Sequence, residues 1–117
     1  MKEFNVTAAQ GELCIKRIDA VPGNAKPMAA ANGRYIVGHS ETGHHHVLLA
    51  DRARVFEAPN APAGMRVLYA ILDAPNELQH LRPHDTHETI GLQPGMYEIR
   101  SGREFDPYAE LARSQAD

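Results

Sequence analysis

The sequence predicts an all-β fold, a small single-domain β-barrel or sandwich of about eight short strands with a short C-terminal helix. Three observations predict it. Short β-prone runs recur between residues 10 and 105, and clusters of Pro, Gly and Asn separate them. The chain has 117 residues, the usual size of one domain built around one core. Its composition, 43% hydrophobic and 23% charged, is that of a globular chain and excludes disordered and fibrous classes. Residues 1–117 therefore read as one unit. With no Trp and seven Phe and Tyr together, its core must rest on Val, Leu, Ile and Ala.

The predicted strands are Glu12–Asp19, Arg34–His39, His44–Ala50, Ala53–Glu57, Arg66–Leu72, Glu77–Leu81, Glu88–Leu92 and Met96–Arg100. Between them stand Pro22-Gly23-Asn24, Asn32-Gly33, Pro59-Asn60-Ala61-Pro62, Asp73-Ala74-Pro75-Asn76 and Gln93-Pro94-Gly95. The last suits a type II turn, with Pro94 fixing φ near −65° and Gly95 supplying positive φ, and predicts a hairpin joining Glu88–Leu92 to Met96–Arg100. Arg66–Leu72 is apolar on both faces, which predicts a central strand covered on each side. Residues 22–33 form the longest irregular segment, the expected mobile loop. At the C-terminus, Asp106-Pro107 is a helix-start signal, and Tyr108, Leu111 and Ala112 fall on one side of a helix over about 107–114. That helix is expected to pack across one end of the barrel.

Charge and cysteine narrow the function classes. The net charge is −3, and no basic cluster exceeds Lys16-Arg17, which argues against nucleic acid as a partner. No apolar run approaches the ~18 residues that span a bilayer, and Met1–Val6 lacks the apolar stretch of a signal peptide. The expectation is a cytoplasmic chain without a membrane partner. A single cysteine, Cys14, excludes an intramolecular disulfide framework and fits a reducing compartment. Flanked by Leu13 and Ile15, Cys14 is expected to be a small core residue rather than a nucleophile.

Histidine is the unusual residue. There are seven, and six fall in two windows, 44–46 and 80–87. In Gly43-His44-His45-His46-Val47, a strand puts His44 and His46 on one face and His45 and Val47 on the other. Two imidazoles so placed are close enough to share a metal. In Pro83-His84-Asp85-Thr86-His87-Glu88, a turn at the mouth of a strand would bring His84 and His87 to one side. Four neutral imidazoles from two segments suit zinc first, with iron, nickel and copper as alternatives, and spacing does not choose among them. Solvated loop histidines, or histidines bonded to backbone carbonyls, are the plainer explanation for any one pair; two pairs in one short domain shift the balance toward ligation. His39 and His45 fit the opposite face or the neighbourhood of the site, and His80 fits an alternative ligand or a partner of one. Glu41, Asp85 and Glu88 are most simply solvated; Glu88 is the best of them for orienting a ligand imidazole or acting as a base on metal-bound water.

Other motifs fit less well. A zincin needs histidines four apart on a helix, whereas His84 and His87 are three apart between Pro83 and Gly91. Ser40 and Asp51 could complete a hydrolase triad with a histidine, but no Gly-x-Ser-x-Gly elbow accompanies them. A phosphate-cradling Gly-x-x-x-x-Gly-Lys loop is absent from the sequence.

The runs Gln10-Gly11-Glu12, Gly43-His44-His45-His46, His84-Asp85-Thr86-His87-Glu88-Thr89-Ile90, Leu92-Gln93-Pro94-Gly95-Met96-Tyr97 and Arg103-Glu104-Phe105-Asp106-Pro107 carry a resemblance. Together they resemble a family of small uncharacterised proteins of bacteria, phages and prophages. Its pattern runs Gln-Gly-Asp, Thr-Gly-His-x-His, His-x-x-His, Pro-Gly-x-Tyr and Arg-Glu-Tyr-x-Pro. The match extends over residues 10–107, with Glu12 in place of Asp and Phe105 in place of Tyr. His44, His46, His84 and His87 all lie in it. What it implies is a phage-type accessory protein, with a phage or host protein as partner, and no particular chemistry. A looser resemblance is to cupins, through His44-x-His46; the Glu expected a few residues on is replaced by Val47-Leu48-Leu49-Ala50, and no His follows Pro94-Gly95.

Three functions follow as expectations. The first is an accessory protein binding one divalent metal through His44, His46, His84 and His87, closed and structural if all four coordinate, open to water or substrate if three do. The second is a non-enzymatic interaction module with structural or pH-responsive histidines. The third is a cupin-like metalloenzyme acting on a small molecule.

Overall fold

The structure is a computed structural model that describes residues 7–10, 13–38, 45–62, 64–80 and 89–102. It is all-β, with ten strands and no helix among the described residues. In chain order these are β1 (Thr7–Gln10), β2 (Leu13–Ile18), β3 (Lys26–Pro27), β4 (Arg34–Gly38), β5 (His46–Leu49), β6 (Ala53–Glu57), β7 (Met65–Leu72), β8 (Asn76–His80), β9 (Ile90–Leu92) and β10 (Gly95–Gly102). They form two antiparallel sheets, β1-β2-β10-β7-β6-β3 and β4-β5-β8-β9, in a sandwich rather than a closed barrel. The predicted C-terminal helix lies outside the described residues.

The two-residue period of each strand explains the core. Leu13 and Ile15 of β2, Val55 of β6, Leu68, Ala70 and Leu72 of β7, and Tyr97 and Ile99 of β10 line the inner face of the six-stranded sheet. Tyr35 and Val37 of β4, Leu48 of β5, Leu78 of β8, and Ile90 and Leu92 of β9 answer them from the other sheet. Each fully buried Leu or Ile contributes about 1.5–3 kcal/mol of transfer free energy.

Four sequence expectations need correction. Cys14 is exposed, because Leu13 and Ile15 take the inner face and the residue between them must turn out. β7 is central, between β10 and β6, but its outer face is covered only in part: Val67 is buried there, while Tyr69 and Ile71 are half-buried. Residues 22–33 are not one irregular loop. Lys26 and Pro27 pair with Glu57 and Phe56 of β6, and the Met28 N–H donates to the Val55 carbonyl at 2.8 Å. Asn32 and Gly33 then take positive φ, 53° and 74°, in a tight reversal where Ala31 and Arg34 exchange hydrogen bonds, the conformation that favours Asn-Gly.

The fourth correction concerns the predicted 88–92/96–100 hairpin. β9 pairs with β8, while β10 lies in the other sheet between β2 and β7. Gly95 does have positive φ, 150°, but it opens β10 instead of closing a hairpin. The physical reason is ladder length. β10 gains an eight-residue register with β7 and a six-residue register with β2, more pairing than the three-residue β9 can offer. Tyr97, fully buried, fixes this crossing by donating its hydroxyl to the Gln93 carbonyl at 2.6 Å. Burial pushes the Tyr97 phenol above its ordinary value, opposed by the Arg17 charge and by the bond to Gln93; the Arg17 guanidinium stands 5.2 Å from the ring centre.

The connections sort by side. β3 to β4, β5 to β6, β7 to β8 and β9 to β10 all pass from one sheet to the other at one side of the four-stranded sheet, where β4 begins and β5 ends. At its opposite side, β4 joins β5 and β8 joins β9 as hairpin neighbours.

Candidate functional site

At the hairpin side of the four-stranded sheet, each strand terminus is a histidine or lies within three residues of one in the sequence. β4 ends at Gly38, one residue before His39; β5 begins at His46, directly after His44 and His45; β8 ends at His80. His84 and His87 lie in the sequence between β8 and Ile90, the first residue of β9. In the order β4-β5-β8-β9, these four strand termini are consecutive neighbours on one side. Thus the two histidine windows, more than thirty residues apart in sequence, are anchored on adjoining strands.

Of the predicted ligands, His46 is the one the structure describes. His44, His84 and His87, and the predicted base Glu88, lie outside the described residues, as do His39, Glu41 and Asp85. His46 is 9% exposed and shares its strand parity with the fully buried Leu48; Val47, of the other parity, is buried as well. His45 is half-buried. Among the described residues, no group of three or more His, Cys, Asp or Glu side chains is placed to hold a metal ion.

Local backbone explains how an imidazole fits inside. Between Ile36 and Gly38 the β4–β5 register shifts, so that β4 spends one extra residue there and Gly38 comes opposite His46. Gly38 has no side chain to contest the space. A Cβ at Gly38 would lie 3.0 Å from Cδ2 of His46 and 3.1 Å from Cδ1 of Leu13. The ring therefore lies against bare backbone, beside a leucine from the other sheet. β-Bulges of this kind re-aim side chains and recur beside functional sites.

On the six-stranded sheet, Arg66 shares strand parity with Leu68 near the start of β7. Its Nε donates to Oε2 of Glu57 at 3.2 Å and its Nη2 faces Sδ of Met28 at 3.8 Å. Nη1 is buried without a hydrogen-bond partner among the described residues. With Glu57 beside it, this cation is balanced within its own sheet.

One feature of the site was missed in the sequence. Gly38 carried no visible signal, since its role depends on a bulge and on Leu13 of a distant strand. His80, read from the sequence as an alternative ligand or a partner of one, has its backbone directly opposite His46.

A family model covers residues 9–102, which takes in the second half of β1, all the other strands and all seven histidines. The chain belongs to the family described as Domain of unknown function (DUF8820). No curated protein and no solved structure matches it. Membership of an uncharacterised family agrees with the kind of resemblance read from the sequence. No helix among the described residues is long and apolar enough to cross a membrane.

Proposed function

We propose that this chain is a small metal-binding accessory protein that holds one divalent cation, zinc first, at the hairpin side of its four-stranded sheet. His44, His46, His84 and His87 are the proposed ligands, with Glu88 orienting an imidazole or acting as a base on bound water. The accessory role follows the resemblance to phage-type proteins, with a phage or host protein as partner and the cytoplasm as the setting.

The observation that supports this reading most is that β5 begins at His46 and β8 ends at His80 on paired neighbouring strands, with His46 buried. Imidazoles from separate segments are what zinc sites use, and closing two segments on one ion stabilises the folded state by the ion's binding free energy. A domain of this size gains from such a cross-link even without catalysis.

Metal analysis of protein purified without an affinity tag, after growth with added zinc or iron, tests the proposal. About one equivalent of metal is expected, together with a rise in melting temperature on adding Zn²⁺ to stripped protein. Less than about 0.2 equivalents, and no stabilisation on adding Zn²⁺ back, would overturn it. In that case, weakened partner capture by His44→Ala/His46→Ala with unchanged metal content would assign the histidines to a protein interface.

A further inference from the structure

β5 and β8 run antiparallel with Leu48 opposite Leu78, Val47 opposite Gln79 and His46 opposite His80. Residues directly opposite in such a pair share a face, with Cβ atoms about 4.5–5.5 Å apart. Leu48 and Leu78 are completely buried on the inner face. Positions 46 and 80 continue that same file by one two-residue step toward the hairpin side. His46 follows the pattern, buried with Leu48.

Across three neighbouring strands the row therefore reads Gly38, His46, His80. At its first position there is no side chain, and the His46 ring occupies the clearance. The next two positions are histidines on directly opposed backbone, where Cβ atoms stand about 4.5–5.5 Å apart, a spacing from which two imidazoles can share one ion at Zn–N bonds of about 2.0–2.1 Å. Backbone pairing holds this spacing, so the pair requires no particular conformation of residues 39–44 or 81–88.

We propose that His46 and His80 form a cross-strand, two-imidazole clamp for Zn²⁺, with His80 as a ligand outside the four-histidine set. The clamp rests on the view that this side of the sheet binds metal, but it needs none of His44, His84 and His87. Bound there, the ion ties β5 to β8, and its remaining coordination positions are open to water or to further ligands. Cu²⁺ and Ni²⁺ would bind the same pair, since imidazole suits them equally.

Zn²⁺ titration in competition with a chromophoric chelator tests the clamp on the full chain, His80→Gln and the triple variant His44→Gln/His84→Gln/His87→Gln. Far-UV circular dichroism checks that each folds. The expected result is that His80→Gln weakens Zn²⁺ binding by about tenfold or more, while the triple variant still binds the ion. Full affinity in His80→Gln overturns the clamp; if the triple variant then loses binding, the four-histidine site stands without it. No Zn²⁺ binding by the full chain overturns both. Should His80→Gln fail to fold, ring-nitrogen NMR of the full chain decides: displacement of the His80 imidazole resonances on adding Zn²⁺ supports the clamp, and unchanged resonances overturn it.

Discussion

The two sides of the four-stranded sheet are built by different means. At the crossover side, connections of two or three residues carry β5 to β6, β7 to β8 and β9 to β10 between sheets. Side chains and neighbouring turns complete the hydrogen bonding there. Asn76 accepts from the Leu49 N–H at 3.1 Å and donates to the Leu49 carbonyl at 2.8 Å, acting as one more rung of the ladder. Asp73 and Arg52 join two of the crossings, with the Asp73 N–H donating to the Arg52 carbonyl at 2.9 Å and Arg52 Nη2 to the Asp73 carbonyl at 3.1 Å. At the hairpin side the strand termini instead carry, or adjoin in sequence, all seven histidines. The lesson is a division of labour within one sheet: short crossings and backbone-like side chains fix the architecture at one side, and at the other the strand termini run into the histidine-bearing stretches of the sequence.

Breaking the crossover side is expected to have the largest effect. Asn76→Ala removes a buried side chain and leaves the Leu49 N–H and carbonyl without their side-chain partner in a part-buried position, and should lower stability by about 2 kcal/mol, read from urea midpoints. A loss below about 0.5 kcal/mol would show that water substitutes for the amide there.

At the hairpin side, Gly38→Ala forces a methyl to within about 3 Å of the His46 ring and Leu13. A loss of about 1 kcal/mol is expected, with displaced His46 ring resonances. Unchanged His46 resonances would mean that the bulge, rather than the ring, absorbs the methyl.

The smallest effect is a pH dependence at the crossover side. Because burial holds the Tyr97 phenol above its ordinary value, the unfolded chain loses that proton first. Stability is therefore intact below pH of about 10 and falls as the pH rises from there, until the folded-state phenol also ionises. Tyr97→Phe should lose about 1 kcal/mol at neutral pH with the bond to Gln93 and should flatten the alkaline decline. An equally steep decline in the variant would assign it to other groups.

Much of this was legible in the sequence. Val, Leu and Ile in short runs between turn residues announced an all-β domain, because alternation and punctuation are local properties. Cys14 could have been read correctly from the same rule, since a residue between two inward neighbours must face out. Pairing was not legible. The Pro94-Gly95 turn signal looked like a hairpin because nothing local reveals that β10 has longer partners in β7 and β2. β3 escaped notice because two residues make a strand only where β6 offers an edge.

By itself, then, the sequence determined the fold class, the alternation of each strand and the excess of histidine in two windows. Tertiary structure decided which strands pair, and with that decided that both windows adjoin one side of one sheet, that His46 lies over Gly38, and that position 80 stands opposite position 46 in the β5–β8 register. The physical reason is range. Side-chain direction repeats every two residues and is set by the local backbone, whereas strand partners are chosen by the competition of distant ladders for the same hydrogen-bonding edges.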